Sequence, residues 1–155
     1  MATSDCIFCK IVEGQAPSYK IWEDEEHLAF LNIYPNTLGT SLVIPKRHYS
    51  SYFAELPEEI LNNLMQATQK VALLLDKAFE DVGRTGLVFE GFGVDHIHSK
   101  LYPMHGTVLD KWREIESDKD DYYEIYPGYL SSHSAKRADD KELARIMKKI
   151  ANTNF

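Results

Sequence analysis

Two histidines and a lysine alternate along Asp95-His96-Ile97-His98-Ser99-Lys100-Leu101. Residues two apart in a strand point to the same side, so the spacing predicts His96, His98 and Lys100 on one face, with Ile97, Ser99 and Leu101 on the other. A neutral imidazole is a nucleophile or a base and an ammonium holds an anionic oxygen, so such a row suits phosphate chemistry. It suits metal binding equally well. The two cysteines of the chain, Cys6 and Cys9, form a Cys-x-x-Cys pair. In a reducing compartment this spacing reads as half a metal site or a redox pair more readily than as a structural disulfide.

These groups need a scaffold, and the chain is long enough to supply one. Its 155 residues, 44% of them apolar, suit a single domain with one sizeable core and argue against disorder. A formal charge of -7 argues against a large nucleic-acid surface or a membrane surface, because both partners call for a basic footprint. Small anions remain possible ligands, held by local groups such as Lys46, Arg47 and Lys100. No apolar run approaches the roughly 20 residues needed to span a bilayer, and residues 1–5 are too short and polar a stretch for a secretory signal. The chain therefore reads as cytoplasmic.

Residues 19–23 and 27–33 are short apolar and aromatic runs flanking Asp24-Glu25-Glu26, the pattern of an antiparallel hairpin. A third strand is expected over 39–45, closing at Pro45. From Pro57 the period changes. Ile60, Leu64, Ala67, Val71, Leu74, Ala78 and Val82 recur at helical steps, with Glu58 and Glu59 in the first turn and Gly83 as a stop. Strands are expected again over 85–90 and 96–102, joined by the bend Gly91-Phe92-Gly93. Residues 105–136 lack clear periodicity and read as a surface excursion. A last helix is expected from about Asp139, where an N-cap acceptor is followed three residues on by Glu142. Neither a repeat nor a linker to a second domain is evident, so residues 1–155 are expected to form one domain with a C-terminal extension from about 105 to 155.

Four blocks in order, Cys6-Ile7-Phe8-Cys9-Lys10-Ile11, Leu28-Ala29-Phe30-Leu31-Asn32-Ile33, Leu42-Val43-Ile44-Pro45-Lys46-Arg47-His48 and His96-Ile97-His98, resemble the histidine triad (HIT) nucleotide-binding proteins, of the bacterial type that carries Cys-x-x-Cys. The resemblance implies an α+β fold with a five-stranded antiparallel sheet, one long helix and a C-terminal helix, assembled as a homodimer. It implies a nucleotide phosphohydrolase acting on a nucleoside polyphosphate, such as diadenosine tetraphosphate, or on a nucleoside phosphoramidate. In the family the second motif histidine attacks the α-phosphorus to give a nucleotidyl-histidine; here that residue is His98. A purine nucleotide or dinucleoside polyphosphate is the implied partner. Asn32 falls where the family sets a polar residue against the ribose hydroxyls, and Phe8, Ile11, Phe30 and Ile33 match positions lining the base and ribose pocket. Core packing is the competing reading for these four apolar residues. Relatives with Cys-x-x-Cys bind zinc through that pair, the histidine after the Ile-Pro-Lys segment and the first motif histidine, which implies a structural zinc on Cys6, Cys9, His48 and His96.

The chain also departs from the pattern. The third motif histidine is Lys100, which keeps a donor but holds its charge at neutral pH, so electrostatic stabilisation suits it better than proton relay. Thr40 follows Gly39 where many members have histidine. Phe89 replaces a common asparagine, and Gly91-Phe92-Gly93-Val94 is shorter and less polar than the usual phosphate loop, leaving backbone amides as substitute donors. A noncatalytic nucleotide-binding module with a degenerate triad, or a nucleotidyltransferase, fits the same changes. Among the other candidates, His27 reads as a solvated surface residue, His105 as a loop residue near the motif strand, and His133 as a loop residue able to reach a site in its own or a partner subunit. Lys46 and Arg47 read as surface charge, and the tyrosines from 122 to 129 as packing for the excursion.

Overall fold

The computed structural model describes residues 5–153. Met1–Ser4, within the stretch judged unlike a secretory signal, and Asn154–Phe155 lie outside the described residues. The chain divides into two compact units, one through Trp112 and one from Arg113.

The first unit is built on five strands: β1 (Lys20–Glu23), β2 (His27–Leu31), β3 (Ser41–Pro45), β4 (Val82–Val88) and β5 (Ser99–His105). They pair antiparallel throughout in the order β1-β2-β3-β5-β4. The five-stranded antiparallel sheet is thus the one implied by the resemblance. In β2 and β3 nearly every residue is buried, because both faces of the sheet are covered. On one face Ala29, Val43 and Leu101 pack with Leu64, Ala67, Val71 and Leu75 of the long helix α2 (Glu58–Ala78). On the other, Leu28, Phe30, Leu42 and Ile44 pack with Cys6, Phe8 and Cys9 of the amino-terminal arm. Strict alternation along β2 and β3 sends successive residues to opposite cores, and each fully buried aliphatic side chain contributes about 1.5–3 kcal/mol.

Several boundaries differ from the sequence reading, strands 27–33, 39–45 and 85–90 being observed as His27–Leu31, Ser41–Pro45 and Val82–Val88. The long helix stops at Ala78, and Phe79 is already extended. Val82, which keeps the helical spacing, instead opens β4 opposite His105. Gly83 is required there by crowding, since a Cβ would collide with the carbonyl of Thr107. The motif strand begins at Ser99, so His96, Ile97 and His98 precede the ladder; Ile97 N–H donates to the Tyr49 carbonyl at 3.0 Å. Finally, residues 7–12 form a short helix, α1 (Ile7–Val12), too short for helical periodicity to mark in the sequence.

The second unit contains α3 (Asp140–Ala151), capped by Asp139, whose carboxylate accepts from Lys141 N–H and Glu142 N–H. Glu142 does not return to the cap residue; it pairs with Arg145. Leu143, Met147 and Ile150 form an exposed apolar stripe along the helix. Elsewhere in this unit Tyr123 and Tyr129 meet edge to face and share a hydroxyl–hydroxyl hydrogen bond, which pushes the Tyr123 phenol up to about 12. His133 belongs to the same cluster: its Nδ1 accepts from Ser131, and its Nε2 donates to the Asp121 carbonyl. No helix among the described residues is long and apolar enough to cross a membrane.

Candidate functional site

The arm begins with a turn of helix in which Cys6 is the N-cap and Cys9 lies one turn on, so both thiols face the same way. His48, in the turn after β3, and His96 meet them. Cys6 Sγ lies 3.5 Å from His96 Nδ1, Cys9 Sγ 3.5 Å from His48 Nδ1, and Cys9 Sγ 3.7 Å from His96 Nδ1. A tetrahedral zinc with bonds of ~2.3 Å to sulfur and ~2.0–2.1 Å to nitrogen requires sulfur–nitrogen edges of about 3.6 Å. The four donor atoms lie within 4.8 Å of one another, and this cluster can hold a metal ion. The imidazole of His96 is prepared for it: Nε2 donates to the Pro45 carbonyl at 2.8 Å, leaving the Nδ1 lone pair toward the thiols. Complete burial lowers the His96 pKa to about 4, which keeps the ring in its neutral, ligating form.

The other side of α1 lines a pocket of about 580 Å³. Phe8 and Ile11 come from α1, Phe30, Asn32 and Ile33 from β2 and the residues after it, and Phe92, Gly93 and Val94 from the bend before the motif. His98 and Lys100 complete the wall. All seven residues expected to be catalytic or nucleotide-binding thus share one cavity, while the four expected ligands gather beside it. Phe8 belongs to both neighbourhoods, its ring edge-on to His96 at 5.8 Å and to His98 at 5.4 Å. Asn32 Oδ1 accepts from the Tyr34 N–H at 3.0 Å, an Asx turn that fixes the carboxamide.

His98 Nδ1 donates to the main-chain carbonyl of His96 at 2.7 Å, so in the neutral ring Nε2 carries the lone pair. Burial lowers the His98 pKa; the nearby Lys100 charge lowers it further and Glu90 opposes. A neutral imidazole with a fixed tautomer, set in an apolar wall, has the form required of a nucleophile.

Glu90 is the residue that sequence reasoning missed. Its Oε2 lies 2.5 Å from Lys100 Nζ, and both side chains are largely covered. Register carries the signal: Val88 pairs with Lys100, so Glu90, two residues farther on, is within diagonal reach of a long side chain.

The remaining candidates lie elsewhere. His27, expected to be solvated, is buried: it begins β2 opposite Pro45, and Asp24 Oδ1 accepts from its backbone N–H and lies 3.2 Å from its Nδ1. His105 is the last residue of β5, held between Asp81 and the Leu38 carbonyl and outside the pocket lining. Thr40 is buried and bonds the Thr37 carbonyl. The Phe89 ring packs against the α2 core and Phe53. Lys46 pairs with Glu23, and Arg47 lies over the Tyr49 ring.

Residues 13–106 match the HIT domain model. The chain belongs to the HIT family. Among HIT relatives it is 36% identical over 137 residues to the Hit protein of Bacillus subtilis, spanning 86% of this chain and 94% of that one. It is 30% identical over 129 residues to an adenosine 5'-monophosphoramidase of Saccharomyces cerevisiae, spanning 81% of each. Its structure resembles that of a HIT family member from Bacillus subtilis, with a TM-score of 0.64, 31% identity, and coverage of 98% of this chain and 99% of that chain. It also resembles a Zn-bound histidine triad family protein from Mycobacterium smegmatis, with a TM-score of 0.61, 29% identity, and coverage of 73% and 84%.

Proposed function

We propose that this HIT protein is a nucleotide phosphohydrolase that cleaves a nucleoside phosphoramidate or polyphosphate through a nucleotidyl-histidine on His98. The observation that carries the reading is the His98 Nδ1 bond to the His96 carbonyl, which commits one ring nitrogen and leaves the other as the lone-pair donor in the pocket wall. Nε2 attacks the α-phosphorus, the leaving group departs with the bonding pair, and water then attacks phosphorus to release the nucleotide and restore the ring. Lys100 stabilises charge on the phosphorus oxygens. Phe8, Ile11, Phe30 and Ile33 hold the base and ribose, with Asn32 toward the ribose hydroxyls. The adenosine 5'-monophosphoramidase among the relatives supports this reading.

Cys6, Cys9, His48 and His96 hold a structural zinc in this reading, supported by the sulfur–nitrogen distances and by the Zn-bound relative. The metal ties the amino-terminal arm to the segment carrying His98. The working form is a homodimeric cytoplasmic protein, in which the chain from about residue 105 is an extension of a HIT-like domain. Light scattering at micromolar concentration checks the dimer.

The test is AMP release from an adenosine 5'-phosphoramidate and from diadenosine tetraphosphate, with mass detection of a nucleotidyl adduct. Turnover that is equal in the wild type and His98→Ala overturns the reading. A noncatalytic binding module is the alternative favoured by Phe89, which turns a ring into the core where family members commonly place asparagine; it requires AMP binding without an adduct. A transferase requires an adduct whose breakdown depends on an acceptor other than water.

A further inference from the structure

Lys100 stands where the family pattern has a histidine, and it does not stand alone. Of the described residues lining the pocket, it is the one with a permanent charge. Its ammonium is matched by the Glu90 carboxylate at 2.5 Å, in surroundings that leave the two side chains 21% and 11% exposed. At that separation the two opposite charges largely cancel, so the pair presents nearly zero net charge to anything in the pocket. A chain of several phosphates, each anionic, finds no surplus positive charge here. Nor do the neighbours supply further charge: the ring of Phe89 packs against the α2 core, and Phe92, Gly93 and Val94 form the bend at the pocket wall.

We propose that Glu90 is a specificity-determining residue, which by neutralising Lys100 sets the pocket to accept a nucleotide with a single phosphoryl group bearing an amine and to reject nucleotides extended by further phosphates. This rests on the proposed function for the identity of the reacting atom. In the favoured substrate the amidate nitrogen is protonated before it departs. The His98 Nε2–phosphorus bond forms as the phosphorus–nitrogen bond breaks, and the amine leaves neutral with the bonding pair and that proton. Water later breaks the Nε2–phosphorus bond, its oxygen going to phosphorus and one proton to solvent. A pair without net charge offers nothing to hold a pyrophosphate leaving group, whereas an amine that leaves neutral needs no such charge.

The test uses the full chain with its metal, as wild type, Glu90→Gln and Lys100→Gln, a series in which the charge of the pair runs from zero to positive and to negative. Dissociation constants for AMP and ATP are measured by calorimetry at low and at high salt. The ratio of ATP to AMP affinity is expected to rise about tenfold in Glu90→Gln and to fall in Lys100→Gln, with both changes shrinking in high salt. Glu90→Asp, which keeps the charge, is expected to return the ratio toward the wild-type value and so separates charge from misfolding. Turnover should shift likewise, with Glu90→Gln gaining on diadenosine tetraphosphate relative to adenosine 5'-phosphoramidate. A ratio unmoved across the series overturns the role of Glu90 even where His98-dependent turnover persists. A ratio that moves as expected without any turnover supports that role and overturns the hydrolase reading instead. Failure of the wild type to bind either nucleotide overturns both.

Discussion

The carbonyl oxygen of His96 receives the Nδ1 proton of His98 at 2.7 Å, while the ring of the same His96 faces the thiols of Cys6 and Cys9. One residue therefore joins the candidate metal cluster to the lone-pair nitrogen in the pocket. Its side chain serves the first and its main chain the second. Phe8 repeats the connection from α1, touching both imidazoles.

Removing the metal should therefore weaken nucleotide binding. With zinc on the Cys6, Cys9, His48 and His96 cluster as proposed, its removal would leave α1 to its apolar packing and loosen Ile7, Phe8 and Ile11 as a pocket wall. AMP affinity is expected to fall about tenfold after chelation and to return with zinc, as calorimetry would report. Linkage requires the converse, that AMP tightens metal binding by the same factor, read in equilibrium competition with a chromogenic chelator. Equal AMP affinity with and without metal would show that α1 keeps its place unaided.

Phe8→Ala should damage both neighbourhoods. The ring is buried against Phe30, His96 and His98, so its loss removes packing worth about 3–5 kcal/mol and opens the wall between cluster and cavity. Lower denaturant midpoints together with faster metal release are expected. Phe8→Leu, which refills much of the volume, should recover most of the stability.

Thr68 of α2 and Ser99, the first residue of β5, share a hydrogen bond of 2.8 Å with both side chains buried. Ser99→Ala leaves the Thr68 hydroxyl unpaired at a cost of about 1–3 kcal/mol, and Thr68→Val in addition should restore part of it. Chemical denaturation of the two single variants and the double variant measures the coupling. Strict additivity would mean that the bond contributes nothing.

His105 gives the fold a pH dependence. The Leu38 carbonyl accepts from its Nε2 and the Asp81 carboxylate faces its Nδ1, so the protonated ring is favoured and its pKa is raised. The folded state then binds the proton more tightly than the unfolded chain. This contribution is fully present below the ordinary imidazole value of about 6.5 and is lost as pH rises through the raised value. Melting temperatures of the wild type should decline over that window relative to those of His105→Gln. Asp81, lowered chiefly by its bond to His105, acts at the other end, losing its contribution as pH falls through its depressed value.

Much of this was legible in the chain itself. Short apolar runs at Leu28-Ala29-Phe30 and Leu42-Val43-Ile44 marked strands, and helical spacing from Ile60 to Ala78 marked α2, although Leu75 rather than the expected Leu74 is the buried leucine of its last turns. Cys6, Cys9, His48 and His96 were legible as a ligand set once the blocks were set beside a known family. What failed was local. A single apolar residue at helical spacing, Val82, does not distinguish the end of a helix from the start of a strand. Alternation placed His96 and His98 in the ladder, whereas the Tyr49 carbonyl holds the segment between them just outside it. His27 looked solvated because acidic neighbours precede it, yet one of them, Asp24, caps it as it enters the core. Glu90 could be found only from the pairing of β4 with β5, a long-range fact.

The Cys6–His96 approach spans 90 positions of the chain. During synthesis the arm emerges before the sheet it packs on, with six residues of helix too few to persist alone in water. Its partner emerges only after β1, β2, β3, α2 and β4 have left the ribosome. The nascent chain therefore carries Cys6 and Cys9 without that imidazole while the 90 positions up to His96 are added, and the cavity beside them has no complete wall until that distant segment arrives.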